Sequence, residues 1–327
     1  MDISKISGKH FLELNSTHID KTLGISAYSP YVYPCKFIKE SYLYSCQLPN
    51  KIIEALYDFR NHSNDYGALL IRGFSVLPDH ILTPKDNFSI PDTFNFYRER
   101  VISMIGEQLG YLVSYKQEKK GVIFQNIIPS KEHEYHLSSE SSKSLLDFHT
   151  EIAFHYEKPD YIILLCIRPD HDKKAKTFTS STRRIKSYLS NRDISILSEK
   201  KFKTGVDYSF GGSNGEKGNG RIVSVFKKNN HDYICYDLDL MEGIDSEANE
   251  VLKNLSKAAN HSKCYVSLES GDLLIIDNNR AIHGRTRFTP RYDGFDRWLL
   301  RACVLEDRVK LESVSTEDNP RMICREF

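Results

Sequence analysis

Residues Gly271–Asp307 read GDLLIIDNNRAIHGRTRFTPRYDGFDRWLLRACVLED. Two apolar runs, GDLLIID and RWLLRACVLED, stand at its ends. Both are rich in Leu, Ile and Val and bounded by turn residues, the signature of a strand. The same texture extends back to about residue 121 in GVIFQNII, YIILLCIRP, KTFTSST, RIVSVF and YICYDLDL. One helix interrupts them, Asp245–Asn260, with Val251, Leu252 and Leu255 as its apolar stripe. Short strands with few helices predict a β-sandwich or barrel, not a parallel βαβ sheet.

The first third differs. Lys51–Arg60 and Thr93–Leu112 carry apolar residues at helix spacing, and GALLIRGF (Gly67–Phe74) between them is a buried strand. Pro78–Pro91 is a loop rich in chain breakers. The expected organisation is a single domain, 1–327. Within it, 1–120 form a helical part packed on the barrel, 121–306 the core and 307–327 a tail. Tyr28, Tyr31, Tyr33, Tyr42 and Tyr44 are expected to pack the N-terminal segment on the barrel. The Gly-rich stretch 211–220 has no Walker pattern and is either a surface loop or a flap near a site. KKAK (Lys173–Lys176) is a solvated turn.

Composition narrows the function. With 40% apolar residues the chain can build a sizeable core. A net charge of +1 argues against a nucleic-acid or anionic-membrane partner, which would need a basic excess. The longest apolar run, Tyr161–Ile167, is far too short to cross a bilayer. The opening MDISKISGKH lacks the apolar stretch of a signal peptide, so a cytoplasmic protein is expected. Seven cysteines occur without a C-x-x-C, so reduced, apolar-packing cysteines are expected.

Chemistry is concentrated in two places. In LLDFHTEIAFH, alternation along a strand sends His149 and Glu151 to one face. His283 follows the strand Gly271–Asp277. Two imidazoles and a carboxylate leave open coordination positions, the ligand set of non-haem Fe(II) oxygenases. H-x-E alone is a weak signal in a chain with 12 His. H-E-x-x-H is absent, which disfavours a helical zinc-protease site, and His155 is taken as structural. Arg297 and Arg301 lie four apart on the last long strand and share a face. An inward arginine is costly unless paired, and guanidinium grips carboxylate through two parallel hydrogen bonds. Two arginines near a metal therefore suggest two carboxylate ligands. The plain alternative is pairing with Asp293 or Asp296.

The sequence resembles the clavaminate synthase-like branch of the Fe(II)/2-oxoglutarate dioxygenases, which includes hydroxylases of free arginine and asparagine. The matching stretches are Gln125 with its strand, His136–His155, Pro159–His171 and Gly271–Arg301. The resemblance implies a double-stranded β-helix (jelly-roll) with flanking helices. It implies Fe(II) held by His149, Glu151 and His283, with 2-oxoglutarate and O₂ as co-substrates. Arg297 and Thr177 are similar to the residues that hold the distal carboxylate of 2-oxoglutarate. Arg301 is similar to the arginine for the substrate α-carboxylate. Gln125, Leu137, Ser139 and Glu151 match positions around the amino-acid pocket. Asp237 and Asp239 alternate onto one face of the YDLDL strand, where arginine-type members carry an acidic pair. Keeping Glu151 argues against halogenation, since related halogenases lack this carboxylate.

The reading that follows is hydroxylation, at C3, of a free basic amino acid, L-arginine first. The alternative is a hydroxylase or desaturase of asparagine, lysine or a carrier-bound residue, and such enzymes often serve natural-product assembly. A silent binding protein and a zinc hydrolase are the readings from other classes, and the intact triad with both arginines speaks against each. The sequence leaves the oligomeric state open.

Overall fold

The computed structural model describes residues 1–3, 11–13, 26–76, 81–86, 96–213 and 216–326. Two sheets dominate. The larger has eight strands, in the order Phe11–Glu13, Ala68–Arg72, Leu273–Asp277, Tyr161–Arg168, Trp298–Leu305, Tyr111–Tyr115 and Met322–Ile323. Its eighth strand, Gln125–Ile127, pairs beside Arg301 on the Trp298–Leu305 strand. The smaller sheet runs Cys264–Val266, Thr177–Ser181, Ala281–Arg285 and Leu146–His149, all antiparallel.

Side-chain alternation explains the layering. In the run YIILLCI, Ile163, Leu165 and Ile167 pack against the helices Pro34–Tyr44, Asn50–His62 and Tyr97–Leu109. Ile162, Leu164 and Cys166 face the other way, onto Cys264, Val266 and Ala281 of the smaller sheet. A strand buried on both faces has no polar face, hence the unbroken apolar run. Each such Leu or Ile contributes roughly 1.5–3 kcal/mol by burial. Phe148, Phe178 and Ile282 on the outer side of the smaller sheet pack under the helix Ser246–Ser262. Asp245 caps that helix by accepting from the Ala248 N–H at 2.7 Å. The molecule is a jelly-roll of two facing sheets with helices outside.

Some expectations change. The division at residue 120 does not divide the sheet, because Ala68–Arg72 and Tyr111–Tyr115 lie inside it. The third helix stops at Leu109, and Leu112 belongs to a strand; Thr93–Asn95 lie outside the described residues. Much of the Pro78–Pro91 loop also lies outside them. The YICYDLDL strand ends at Ile234. Asp237 and Asp239 sit instead in a turn, where Asp237 Oδ1 accepts from the N–H groups of Asp239 and Leu240, both at 2.9 Å. An aspartate that bonds its own backbone two residues on competes with strand formation. Tyr28, Tyr31 and Tyr44 pack on the core, whereas Tyr33 and Tyr42 are exposed. All seven cysteines are free thiols, and Cys166, Cys235, Cys264 and Cys303 are buried. Among the described residues no helix is long and apolar enough to cross a membrane.

Candidate active site

On the face of the smaller sheet that looks at the larger one, His283 pairs in register with His149 on one side and Thr179 on the other. Their imidazole centroids are 4.3 Å apart. Gly284, between His283 and Arg285, points to the opposite face. A Cβ there would meet Phe178 at 2.4 Å, so only glycine fits. His149 Nδ1 lies 2.8 Å from the Asp147 carbonyl, so it carries the proton and leaves Nε2 for a metal.

Glu151 reaches the same point by a route that strand alternation does not describe. The strand ends at His149. Beyond it the Glu151 backbone is clamped by Asn278. The Glu151 N–H donates to Asn278 Oδ1 at 2.7 Å, and Asn278 Nδ2 donates to the Glu151 carbonyl at 3.1 Å and to that of Pro159 at 2.8 Å. Ile152 follows with φ +55°, a costly conformation for a β-branched residue that the clamp holds in place.

The ligand atoms of His149, Glu151 and His283 lie within 4.8 Å of one another. Burial, then the neighbouring His149 ring, push the His283 imidazole down to about 4, so it is neutral. Burial alone would favour a protonated Glu151, but Arg301, then His283, hold it well below the usual carboxylate range. Two imidazoles and one carboxylate, with one side of the trio open to a cavity of about 980 Å³, fit a divalent ion with exchangeable positions.

Arg301 projects into this cavity from the Trp298–Leu305 strand, whereas Arg297, expected on the same strand, lies just before its start, ahead of an irregularity between Trp298 and Leu299; their surroundings differ too. Arg301 is fully engaged: it donates to Glu151, Glu118 and Gln125, its Nε lying 3.1 Å from Gln125 Oε1. Burial works against its charge, but Glu118 and Glu151 outweigh that and raise its pKa. Gln125 also donates to Glu118 Oε2 at 3.1 Å and stands behind Arg301, not on the cavity wall. Arg297 has no carboxylate within ion-pairing distance among the described residues. Its guanidinium lies 5.7 Å from the Phe288 ring centre. Neither arginine pairs with Asp293, which faces His171 at 3.1 Å, or with Asp296, which accepts the Arg291 N–H at 2.7 Å. Thr177, buried on the smaller sheet, lines the same cavity as Arg297, as do Leu137 and Ser139.

Asp237 and Asp239 line the cavity beside His149, joined there by Asp207. Burial pushes the Asp237 carboxyl up to about 6, against the pull of His149. Burial also raises Asp239, with Asp147 adding to it, and Asp207. None of the three forms an ion pair among the described residues. Asp207, Glu118, Lys119, Arg285 and Asn278 were not singled out by sequence. Their charges sit in ordinary polar runs, and only the topology gathers them. Gly211 and Gly212 of the glycine-rich stretch also touch the cavity; Asn214 and Gly215 lie outside the described residues.

This geometry can be set beside known proteins. Residues 44–303 match the model of the taurine catabolism dioxygenase TauD, TfdA family. The chain belongs to that family. It is 34% identical to clavaminate synthase 2 of Streptomyces clavuligerus over 277 residues, 83% of this chain and 84% of that one. It is 32% identical to the L-lysine 3-hydroxylase of Catenulispora acidiphila, over 83% of this chain and 76% of the relative. An asparagine oxygenase solved with Fe(II), 3-hydroxyasparagine and succinate superposes with a TM-score of 0.88. It is 27% identical and covers 97% of this chain and 100% of that one. The dioxygenase is therefore an oxidoreductase that uses Fe(II), 2-oxoglutarate and O₂.

Proposed function

We propose that this dioxygenase hydroxylates C3 of a free basic L-amino acid, L-arginine first. The observation that carries the reading is the wall of Asp207, Asp237 and Asp239. These are three partly buried carboxylates beside the His149–Glu151–His283 cluster, and none of them forms an ion pair among the described residues. Buried like charges are unfavourable unless a ligand brings the counter-charge. A guanidinium, planar and five-donor, is the ligand group that answers several carboxylates at once.

His149, Glu151 and His283 would hold Fe(II). With 2-oxoglutarate and O₂, iron supplies the oxidation that turns a C–H into C–OH while 2-oxoglutarate becomes succinate and CO₂. The chain's task is placement. Thr177 and Arg297 hold the distal carboxylate of 2-oxoglutarate. Arg301 takes the amino acid's α-carboxylate as Glu151 turns to the metal, while Glu118 receives the α-ammonium and Gln125 keeps Arg301 in place. Leu137 and Ser139 close the amino-acid end. The aspartate wall fixes the far end of the side chain and thereby which carbon faces the metal.

The test is succinate release with Fe(II), 2-oxoglutarate and O₂ across all free L-amino acids, with mass spectrometry of each mixture. A basic amino acid gaining one oxygen in step with succinate is the expected result. Coupled turnover of asparagine alone would overturn the basic assignment. In the Asp237→Asn, Asp239→Asn double variant, kcat/KM for L-arginine is expected to fall about 100-fold or more, since each lost charge-assisted pair is worth about 1.5–3 kcal/mol.

A further inference from the structure

Arg285 follows His283 by two residues on the same strand and shares its cavity-facing side. Its partner directly across the antiparallel ladder is Thr177. Side chains so paired have Cβ atoms about 4.5–5.5 Å apart. Arg285 is 5% exposed, and its Nη2 donates to Ser141 Oγ at 2.8 Å. Its Nη1 is buried and has no hydrogen-bond partner among the described residues. Its guanidinium carbon lies 5.0 Å from the centre of the Phe288 ring, the same ring that Arg297 approaches. Two buried guanidinium groups thus converge on one ring, and no carboxylate of the chain pairs with either among the described residues. Such an arrangement is unfavourable in the empty protein, and an anion relieves it.

We propose that Arg285 is a second cation for the distal carboxylate of 2-oxoglutarate, acting beside Arg297, and that it sets the preference for a dicarboxylate co-substrate. The inference rests on assigning the Thr177–Arg297 end of the cavity to that carboxylate. Ser141 belongs to the segment that carries Leu137 and Ser139, so one guanidinium would serve both the co-substrate and the amino-acid mouth.

The experiment is calorimetric titration of the Fe(II)-loaded protein, without O₂, using two probes. One is 2-oxoglutarate; the other is 2-oxopentanoate, which has a methyl in place of the distal carboxylate. Arg285→Gln is expected to weaken 2-oxoglutarate about tenfold or more and to leave 2-oxopentanoate within about twofold, as loss of a charge-assisted contact predicts. Arg285→Lys is expected to recover most of the loss and covers the case in which the Gln variant does not fold. Ser141→Ala, which removes the shorter of the two Nη2 ties to this segment and leaves that to the Ser144 carbonyl at 3.5 Å, is expected to leave 2-oxoglutarate binding within about twofold. Equal weakening of both probes, unchanged 2-oxoglutarate binding, or a full loss reproduced by Ser141→Ala would each overturn the proposal. Arg297→Gln serves as the companion: unchanged 2-oxoglutarate affinity there would show that the end assignment itself has failed.

Discussion

The two ends of one cavity handle buried positive charge in opposite ways. At the Arg301 end every charge has an answer within the chain: Glu118, Glu151 and Gln125 surround the guanidinium. At the Arg297 end two guanidinium groups share a phenylalanine ring and no carboxylate. A paired buried charge is part of the folded protein's own stability. An unpaired one is a standing cost that a ligand removes. The difference separates residues that build the site from residues that wait for its contents.

The comparison breaks most visibly at its paired end. Arg301→Met strands Glu118 and Glu151, and the metal-free protein is expected to lose about 3–5 kcal/mol in urea unfolding. An unchanged midpoint would erase the distinction. At the other end, Arg297→Met removes a charge that has no ion-pair partner among the described residues. Stability without ligand should hold or rise, while 2-oxoglutarate affinity falls about 100-fold, measured by calorimetry.

A smaller effect tests the clamp on Glu151. Asn278→Ala leaves the Glu151 amide and two carbonyls unanswered. It should destabilise by about 2 kcal/mol and weaken metal binding about tenfold in a Co(II) titration. Metal affinity equal to that of the parent protein would make Asn278 purely structural.

The smallest effect is one of pH. Lys119, beside Arg301, and Lys158 are each pushed down to about 8, chiefly by burial. Above pH 8 these lysines are neutral in the fold, while the unfolded chain keeps them protonated to about 10.4. The unfolded state then binds more protons, so stability rises with pH, by about 1 kcal/mol or more between pH 8 and 10. Near pH 10 the unfolded tyrosines begin to ionise while buried Tyr161 and Tyr233 do not, and the trend reverses. A flat or falling stability from pH 8 to 9.5 in chemical denaturation would contradict this account, and Lys119→Met should remove the share belonging to the paired end.

Long apolar runs were the legible part of the fold. YIILLCI and WLLRACVL announce themselves because both of their faces are buried, and no tertiary detail is needed to see them. The clustering of His149, Glu151 and His283 was legible through residue type and spacing, though strand alternation does not account for it. His149 ends its strand, and Glu151 is aimed by Asn278, 127 residues away. Asp237 and Asp239 were found but placed on a strand, because alternation in YDLDL outweighed the turn chemistry of an aspartate that accepts its own downstream amides. Glu118 and Arg285 were invisible for a different reason. A charge within a polar run acquires meaning only from what the chain later folds against it. For Glu118 that partner is Arg301, 183 residues on.

The site is also a seam. His149, His283, Thr177 and Arg285 ride on one sheet, whereas Arg301 rides on the other with Arg297 just ahead of its strand, and Asn278 stands in the turn where the chain crosses between them. Anything gripped by both sets rivets two leaves whose apolar contact runs through Leu164, Cys166, Val266 and their neighbours. The thickness of that greasy layer is then a gauge block for the reaction. Trimming a methyl group there would alter where a substrate carbon rests relative to the metal, without a single residue of the site being touched.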